Sequence, residues 1–211
     1  MNPRFAILLD GGFVTKILTK KNHRFPVASD IVAETTRIAN IDALKGHDLF
    51  RIYYYDAPPA TGTLTNPLNR TTFNLQTTPS YNQHFTLIQQ LEMSQNFAVR
   101  KGEANVMKWK VGDKALKDML KNPTKHPKLG PQDLVPNIKQ KGVDLRIGLD
   151  IALLALRQFV QVIVVVAADS DFIPAFKFAR REGVRVFLDH LGSPRVRADL
   201  KIHTDLVLPP R

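Results

Sequence analysis

The sequence predicts an α/β fold organised around a parallel β-sheet. Two continuous apolar runs, at residues 5–9 and 162–168, have the length and composition of strands that are buried on both faces. Segments with helical periodicity lie between the predicted strands, and the connections are only a few residues long. The 211 residues are enough for one sizeable core, and two full domains would be cramped. We therefore expect a single domain over residues 1–211.

The first half of the chain supplies two of the predicted strands. Residues 5–9 form a buried strand that ends in an Asp-Gly-Gly turn at residues 10–12. A helix begins at residue 29 or 30, where Ser or Asp can cap it, and runs to about residue 44. Residues 50–55 are rich in aromatic and β-branched side chains, which predicts a second strand.

The middle of the chain has a different character. Residues 57–80 are rich in Thr, Pro and Asn, which predicts a long loop or a lid. A helix over residues 81–95 and a strand over residues 97–101 follow. Residues 100–146 contain twelve Lys and Arg but only five Asp and Glu, a net charge of +7. We interpret this stretch as a basic insertion that is partly helical around residues 114–121 and irregular through Gly130.

The last third of the chain has the most regular pattern. It predicts a helix over residues 143–159 and then the most apolar strand of the chain, over residues 162–168. A helix over residues 171–181 ends at Gly183, and a further strand covers residues 184–188.

The charge of the chain indicates a polyanionic partner. Thirty Lys and Arg against nineteen Asp and Glu give a formal net charge of +11, which attracts nucleic acid, although a basic surface also serves solubility. No stretch reaches the roughly 18 apolar residues that cross a bilayer, so we expect no membrane partner. The absence of Cys excludes disulfides and fits a cytoplasmic location.

Aspartates stand where a parallel sheet binds its ligands. Asp10 ends the first strand, and Asp169 and Asp171 follow the most apolar strand. Asp150 lies inside the preceding helix, and Asp144 lies near the start of that helix. Because ligands bind in the crevice beyond the carboxyl ends of parallel strands, we expect these side chains to converge there.

Gathered carboxylates require a cation. Without basic partners they repel one another, so some would be protonated unless a cation neutralised them. Hard divalent ions suit an all-oxygen site, and Mg²⁺ or Mn²⁺ is the usual choice for phosphate chemistry. The absence of Cys and the scattering of six His argue against zinc.

Each aspartate also has a simpler interpretation. Asp169 or Asp171 alone is more often a helix cap than a metal ligand, and Asp10 before two glycines could be a turn residue. Asp150 alone could lie on the surface or form an ion pair. The conjunction of these acids at one predicted edge favours a metal site.

Three segments carry a recognisable pattern: FAILLDGGF at residues 5–13, KGVDLRIGLDIALLAL at residues 141–156 and VIVVVAADSDFIPAFKFARREGVRVFL at residues 162–188. Together they resemble the NYN domain, in the LabA-like branch of the PIN-like nucleases. The resemblance implies a three-layer α/β/α fold, Rossmann-like in type, with a metal-dependent ribonuclease site of four or five acids. Residues from about 57 to 140 match no family pattern and form the insertion.

The resemblance also assigns roles to the acids. It matches Asp10, Asp144, Asp150, Asp169 and Asp171 to the acids of the family site. Our hypothesis is that Asp10, Asp150 and Asp169 are direct metal ligands, and that Asp171 and Asp144 bind the metal through water or orient the nucleophile. Two positions depart from the family pattern. Phe13 stands where Asn is common, and Ala167-Ala168 replaces the usual Ser-Gly before the last acid pair. These departures bear on the level of activity more than on the fold.

We expect RNA to be the partner, bound by the basic insertion, and we leave open whether the chain forms a homodimer. The residues expected to contact RNA are Arg100, Lys101, Lys108, Lys110, Lys114, Lys117 and Lys141. Trp109 and Tyr81 are candidates for stacking on unpaired bases, although Trp109 fits core packing better.

Two other functions are compatible with parts of the pattern. The altered Ala167-Ala168 context favours a non-catalytic RNA-binding or regulatory module with a degenerate metal site. A phosphatase of the haloacid dehalogenase type would also place Asp after the first strand. That chemistry needs a second acid two residues later, where this chain has Gly12.

Overall fold

Six parallel strands form the central sheet of the computed structural model, which describes residues 2–121, 128–194 and 196–209. In chain order the strands of this sheet are β1 (Arg4–Asp10), β2 (Asp48–Asp56), β5 (Phe97–Lys101), β8 (Val162–Val166), β9 (Arg185–Asp189) and β10 (Leu206–Val207). Their order in space is β10-β9-β8-β1-β2-β5, and every pair is parallel. The predicted α/β class is confirmed.

The strand order contains one topological switch point. From β1 the chain adds β2 and then β5 on one side, and it later returns to add β8, β9 and β10 on the other side. The two halves of the sheet therefore diverge between β1 and β8. In open α/β sheets a crevice forms at this point, outside the carboxyl ends of the strands.

Helices cover both faces of the sheet and make three layers. One face carries α1 (Gly11–Asn22), α2 (Ala28–Ala39) and α3 (Pro79–Glu92), and the other carries α5 (Val143–Leu156), α6 (Ile173–Arg181) and α7 (Ala198–Ile202). Within the described ranges, no helix is both long and apolar enough to cross a membrane.

Strand β1 shows why its sequence is continuously apolar. Phe5, Ile7 and Leu9 pack with the α1–α3 layer, whereas Ala6 and Leu8 pack with the α5–α7 layer. All five are buried, because successive side chains of a strand point to opposite faces and both faces are covered here. Asp10 follows these five apolar residues and places a polar side chain at the carboxyl edge of the sheet.

Two hairpins lie outside the central sheet. Strands β3 (Thr63–Thr65) and β4 (Thr72–Asn74) form a short antiparallel pair within the segment predicted as a loop or lid. Strands β6 (Glu103–Val111) and β7 (Leu134–Lys141) form a longer one, with the predicted helix present between them as α4 (Asp113–Lys121). Strands β6 and β7 were not predicted, and most of the stretch that was expected to be irregular up to Gly130 (residues 122–127) lies outside the described residues.

The hairpins contact each other through the single Trp of the chain. The indole Nε1 of Trp109 donates a hydrogen bond of 2.9 Å to the carbonyl oxygen of Thr65. This contact joins β6 to β3, which supports the packing role for Trp109 rather than a role in base stacking. The pairing of β6 with β7 shifts register between Val106 and Trp109, where Lys108 has a positive φ of 69°.

Helix α1 was not predicted, because the Asp-Gly-Gly sequence at residues 10–12 is typical of a turn. In the structure Asp10 caps this helix, and Gly11 is its first residue. A Cβ at Gly11 would lie 2.7 Å from the carbonyl oxygen of Tyr55 and 2.9 Å from Cβ of Asp56. Glycine is required here by the close approach of α1 to β2. The second helix also ends earlier than predicted, at Ala39.

This close approach gives a stability prediction. We expect Gly11→Ala to lower the free energy of unfolding by about 1–3 kcal/mol, because backbone atoms of β2 must move to admit the methyl group. The matched control is Gly12→Ala, whose Cβ would meet nothing closer than 3.5 Å and which we expect to stay within about 0.5 kcal/mol of the wild type. Urea unfolding measures both, and equal effects would contradict the prediction.

Candidate active site

Four of the predicted acids lie at the carboxyl edge of the sheet around the switch point. Asp10 is the last residue of β1, and Asp169 follows β8 by three residues. Asp171 lies in a short 3-10 turn before α6, and Asp144 is the second residue of α5. The switch point between β1 and β8 therefore has acidic residues on both sides, as the sequence predicts.

Asp10 combines a structural and an electrostatic feature. Its Oδ1 accepts a hydrogen bond of 3.1 Å from the backbone N–H of Phe13, so it caps α1. Burial raises the pKa of Asp10 from its usual 3.8 to about 6, and the Phe13 hydrogen bond opposes this rise. The negative charges of Asp144, Asp56 and Asp169 raise the pKa further. Asp10 therefore lies in a negative, poorly solvated environment.

The acids on the other side of the switch point belong to the same cluster. Burial raises the pKa of Asp144, and the charges of Asp169 and Asp171 add to this effect. Asp169 also caps the turn that follows it, since its Oδ1 accepts a hydrogen bond of 2.9 Å from the N–H of Asp171. Asp10 and Asp169 are therefore helix or turn caps as well as members of the acidic cluster.

The acidic cluster, which we define as Asp10, Asp144, Asp169 and Asp171, has no basic partner in the part of the chain that the structure describes. Another acid at the same edge shows the contrast. Asp189 ends β9 and is buried, but Arg37 of α2 forms an ion pair with it. Basic residues are thus placed to neutralise one edge acid and not the cluster.

The chemistry of the acidic cluster fits a hard divalent cation. Its donors are all carboxylate oxygens, and capping occupies only one oxygen of Asp10 and of Asp169. Among residues 2–121, 128–194 and 196–209, no three acidic or histidine side chains are already arranged to hold a metal ion. Binding a cation would therefore require these carboxylates to rotate towards one another.

Asp150 is not brought to the acidic cluster. Its Oδ2 accepts hydrogen bonds from the Tyr55 hydroxyl at 2.9 Å and from Arg100 Nε at 3.1 Å. It lies six residues after Asp144 on α5, which is about 9 Å along the helix axis. The contacts of Asp150 are therefore with Tyr55 and Arg100 rather than with the acids of the cluster, and a direct metal-ligand role for Asp150 stays a prediction.

Asp56 is an edge acid that sequence reasoning missed. It ends β2 and is only 1% exposed. Its donors are the Ala57 N–H at 2.8 Å, His84 Nε2 at 2.8 Å, Gln140 Nε2 at 2.9 Å and the Tyr54 hydroxyl at 3.3 Å. Four donors use the roughly four lone-pair sites of a carboxylate, so Asp56 orders its neighbours and is not available to a metal.

The basic residues expected to contact RNA fall into two groups. Arg100 is paired with Asp150, and Lys101 Nζ lies 2.6 Å from Glu92 Oε1. The others are exposed and have no ion pair among the described residues. They are Lys108, Lys110, Lys114, Lys117 and Lys141.

The basic hairpin, which we define as β6 and β7 with α4 between them, begins at the same edge of the sheet as the acidic cluster. Strand β5 leads through Gly102 into β6, and β7 ends at Lys141 just before α5 and Asp144. A Cβ at Gly102 would lie 2.7 Å from the carbonyl oxygen of Lys141, so the two ends of the hairpin are in close contact. Exposed positive charge therefore extends outward from the acidic edge.

A parallel sheet between two helical layers, with acids at its switch point that have no basic partner among the described residues, defines this chain as a three-layer α/β protein. The chain belongs to the NYN domain family, whose family profile matches residues 22–200. NYN domains are generally metal-dependent nucleases and use divalent metal ions. The match includes Asp144, Asp150, Asp169 and Asp171 but begins after Asp10, whose place in the cluster rests on the structure.

One solved structure supports the fold. The crystal structure of VPA0982, a protein of unknown function from Vibrio parahaemolyticus, superimposes with a TM-score of 0.53 at 14% sequence identity. The alignment covers 98% of this chain and 92% of that chain. At this identity the likeness shows the fold alone. Comparison with curated proteins gave no match.

Proposed function

We propose that this chain is a ribonuclease that hydrolyses RNA phosphodiester bonds with Mg²⁺ or Mn²⁺ held by Asp10, Asp144 and Asp169. The observation that carries the proposal is the gathering of these carboxylates at the switch point without a basic partner among the described residues. Such a group is stable when a cation offsets its charge. The membership of the chain in a nuclease family supports the same conclusion.

The four acids of the cluster have two roles in this proposal, metal binding and orientation of water. A bound divalent cation supplies activation of water and stabilisation of the charge that develops on the phosphate oxygens. Asp10, Asp144 and Asp169 would hold the cation, and Asp171, which is exposed beside Asp169, would orient the attacking water. The caps made by Asp10 and Asp169 fix one oxygen of each, which limits how far each carboxylate must move.

Asp150 enters the proposal as a positioning residue. Its contacts with Tyr55 and Arg100 tie α5 to β2 and β5. Because Asp144 lies in the first turn of the same helix, these contacts hold it at the carboxyl edge of the sheet. Asp150 acts on the reaction through the placement of Asp144.

RNA would approach over the basic hairpin. The exposed lysines of β6, α4 and β7 can neutralise backbone phosphates, which gives affinity that falls as salt concentration rises. Arg100 and Lys101 already have acidic partners, so their contribution requires an exchange of partners. Lys141 lies nearest in sequence to Asp144 and is our candidate for the phosphate beside the cut.

A metal-dependent cleavage assay tests the proposal. We expect the purified chain to cut single-stranded RNA with Mn²⁺ or Mg²⁺ and to leave it intact with EDTA, because the acidic cluster alone cannot activate water. Structured RNA and DNA of the same sequence, run in parallel, establish the substrate class. Salt-dependent RNA binding without cleavage in any divalent ion would contradict the proposal. It would support the non-catalytic RNA-binding module that the Ala167-Ala168 context favours.

A further inference from the structure

A cavity of about 250 Å³ opens beside the acidic cluster. Its walls come from the polar segment after β2, from α3 and from the β6–β7 hairpin. The residues that matter here are Phe25, Ala60, Tyr81, His84, Ile138 and Gln140. Most of the wall is therefore built by residues 57–140, which lie between the recognised sequence motifs.

Gln140 and Asp56 connect this cavity to the acidic cluster. Gln140 lines the cavity, and its Nε2 donates to Asp56 at 2.9 Å. Its Oε1 lies 3.8 Å from the Cβ position of Gly12, which is itself 3.5 Å from Oδ1 of Asp10. Asp56 is also close enough to Asp10 to raise its pKa. The cavity and the cluster are therefore immediate neighbours.

The polar groups of the cavity are held in fixed orientations. The carboxylate of Asp56 accepts from Gln140 Nε2 and from His84 Nε2, so the Gln140 amide must present its oxygen away from Asp56. The imidazole of His84 is further positioned by the Phe25 ring, with a centroid distance of 5.9 Å. Fixed polar groups on an otherwise apolar wall are typical of sites that orient a small ligand.

The aromatic residues and the volume define the class of ligand. Tyr81 stacks on Phe85 at 5.7 Å with an interplanar angle of 13°, which fixes the plane of its ring at the cavity wall. The volume is below the roughly 300 Å³ at which pockets for drug-sized ligands begin. A flat, partly polar ring system fits such a cavity better than a chain or a large ligand does.

We propose that this cavity binds one unpaired base of the RNA, next to the phosphate that is cut. The proposal rests on the proposed function, because the base reaches the cavity only if the RNA backbone runs along the acidic cluster and the basic hairpin. It predicts that the substrate is single-stranded at this position, since a paired base cannot leave its stack without loss. The insertion thus supplies substrate selection in addition to charge.

An abasic scan, in which RNAs that each lack one base are compared, tests the cavity proposal through binding affinity without cleavage. A short single-stranded RNA that binds the chain is made as a series, each member lacking the base at one position, and affinities are measured in EDTA so that no cleavage occurs. We expect the loss of one particular base to weaken binding about 10-fold, because stacking on aromatic side chains contributes at this level per base. Uniform affinity across the series would overturn the proposal.

Variants that fill the cavity assign the effect to this site. Ile138→Trp places a large ring in the cavity, and Met107→Trp makes the same kind of change on β6 outside it. The wild-type residues are 40% and 50% exposed, so both substitutions spare the core. We expect Ile138→Trp to bind the complete RNA about 10-fold more weakly and to lose the dependence on the abasic position. Met107→Trp should keep both properties.

A second variant that fills the cavity shows whether the effect of Ile138→Trp comes from the filled cavity or from misfolding. Ser80→Trp enters the cavity from the first turn of α3, where Ser80 is exposed, and it should reproduce the effect of Ile138→Trp with unchanged thermal unfolding. Equal behaviour of Ile138→Trp, Ser80→Trp and Met107→Trp would overturn the proposal. If the chain cleaves RNA but all abasic RNAs bind with the same affinity, the cavity proposal is wrong and the nuclease proposal stands. If one abasic position weakens binding to the wild type, both filling variants lose this dependence and no cleavage occurs in Mn²⁺, the cavity binds a base but the nuclease proposal is wrong.

Discussion

Asp169→Asn is expected to lower the rate of RNA cleavage in Mn²⁺ by on the order of 1000-fold while RNA binding stays the same or becomes tighter. A bound cation contributes several kcal/mol to the stability of the transition state, and loss of one charged ligand removes most of it. Binding is retained because one negative charge fewer at the acidic cluster reduces repulsion of the phosphates. Single-turnover cleavage and binding in EDTA measure the two effects separately.

The substitution preserves the local structure, which makes the result interpretable. The Asn side-chain oxygen can still accept the hydrogen bond that Asp169 Oδ1 receives from the N–H of Asp171. The charge-matched control is Asp42→Asn, because the side chain of Asp42 is 89% exposed and its ion pair among the described residues is with Lys45 on the surface. We expect the control to cleave at the wild-type rate. Cleavage by Asp169→Asn at that same rate would refute the metal site.

The same assay separates the two roles considered for Asp150. A direct ligand would give a loss as large as that of Asp169→Asn, whereas a positioning residue gives roughly 10–100-fold. The ion pair with Arg100 leads us to expect the smaller loss for Asp150→Asn, together with reduced stability. Arg100→Gln should then show a loss of similar size, because it removes the other partner.

The sequence could predict the position of an acid where that position follows from neighbouring residues in the chain. It could not predict contacts with residues that are distant in the sequence. Asp10 and Asp169 end strands whose apolar runs are visible in the sequence, and parallel strands place such ends at one edge whatever lies between them. The environment of Asp150 has no local cause. Its partner Arg100 is 50 residues away and reaches it only because β5 lies beside β2.

Asp56 illustrates a second limit of sequence reasoning. It ends a strand as Asp10 does, and that signal could have brought it into the set of candidate acids. Asp56 differs from Asp10 because hydrogen-bond donors occupy its carboxylate oxygens. Two of these donors, His84 and Gln140, lie far from Asp56 in the sequence and outside the three recognised motifs. A sequence shows which acids reach the edge, but the long-range donors decide which of them remain available.

The hairpins were missed for a related reason. Strands β6 and β7 are separated by 22 residues that include α4, so no short turn marks them as a pair. The register shift beside Trp109 and the position of Pro136 opposite it interrupt the alternation that would reveal a strand. Helix α4 was predicted because helical periodicity is a property of contiguous residues.

The pH dependence of stability supplies an independent test of the acidic cluster. Asp10 has a pKa of about 6 in the folded chain against a usual 3.8, so the folded state binds more protons between these values. The free energy of unfolding therefore falls as pH rises through this window, and it has fallen by its full amount above about pH 6. Two pKa units correspond to about 3 kcal/mol.

Asp10→Asn is accordingly expected to be more stable than the wild type by up to about 3 kcal/mol at pH 8 in EDTA, with the difference vanishing near pH 4. The variant keeps an oxygen to accept from the Phe13 N–H, so the cap of α1 survives. The control is Asp30→Asn. Arg24 lowers the pKa of Asp30 through a hydrogen bond, so this variant should be less stable at pH 8 and approach the wild type in acid. Urea unfolding across pH 4–8 measures both.

Addition of Mn²⁺ connects this stability difference to function. At pH 8 the wild type should gain stability with rising metal concentration, because the cation binds the folded state and offsets the repulsion around Asp10. Asp10→Asn should gain much less, so the two unfolding curves converge or cross. An Asp10→Asn variant that is less stable than the wild type at pH 8 in EDTA would show that its carboxylate stabilises the fold. The acidic cluster would then need no cation.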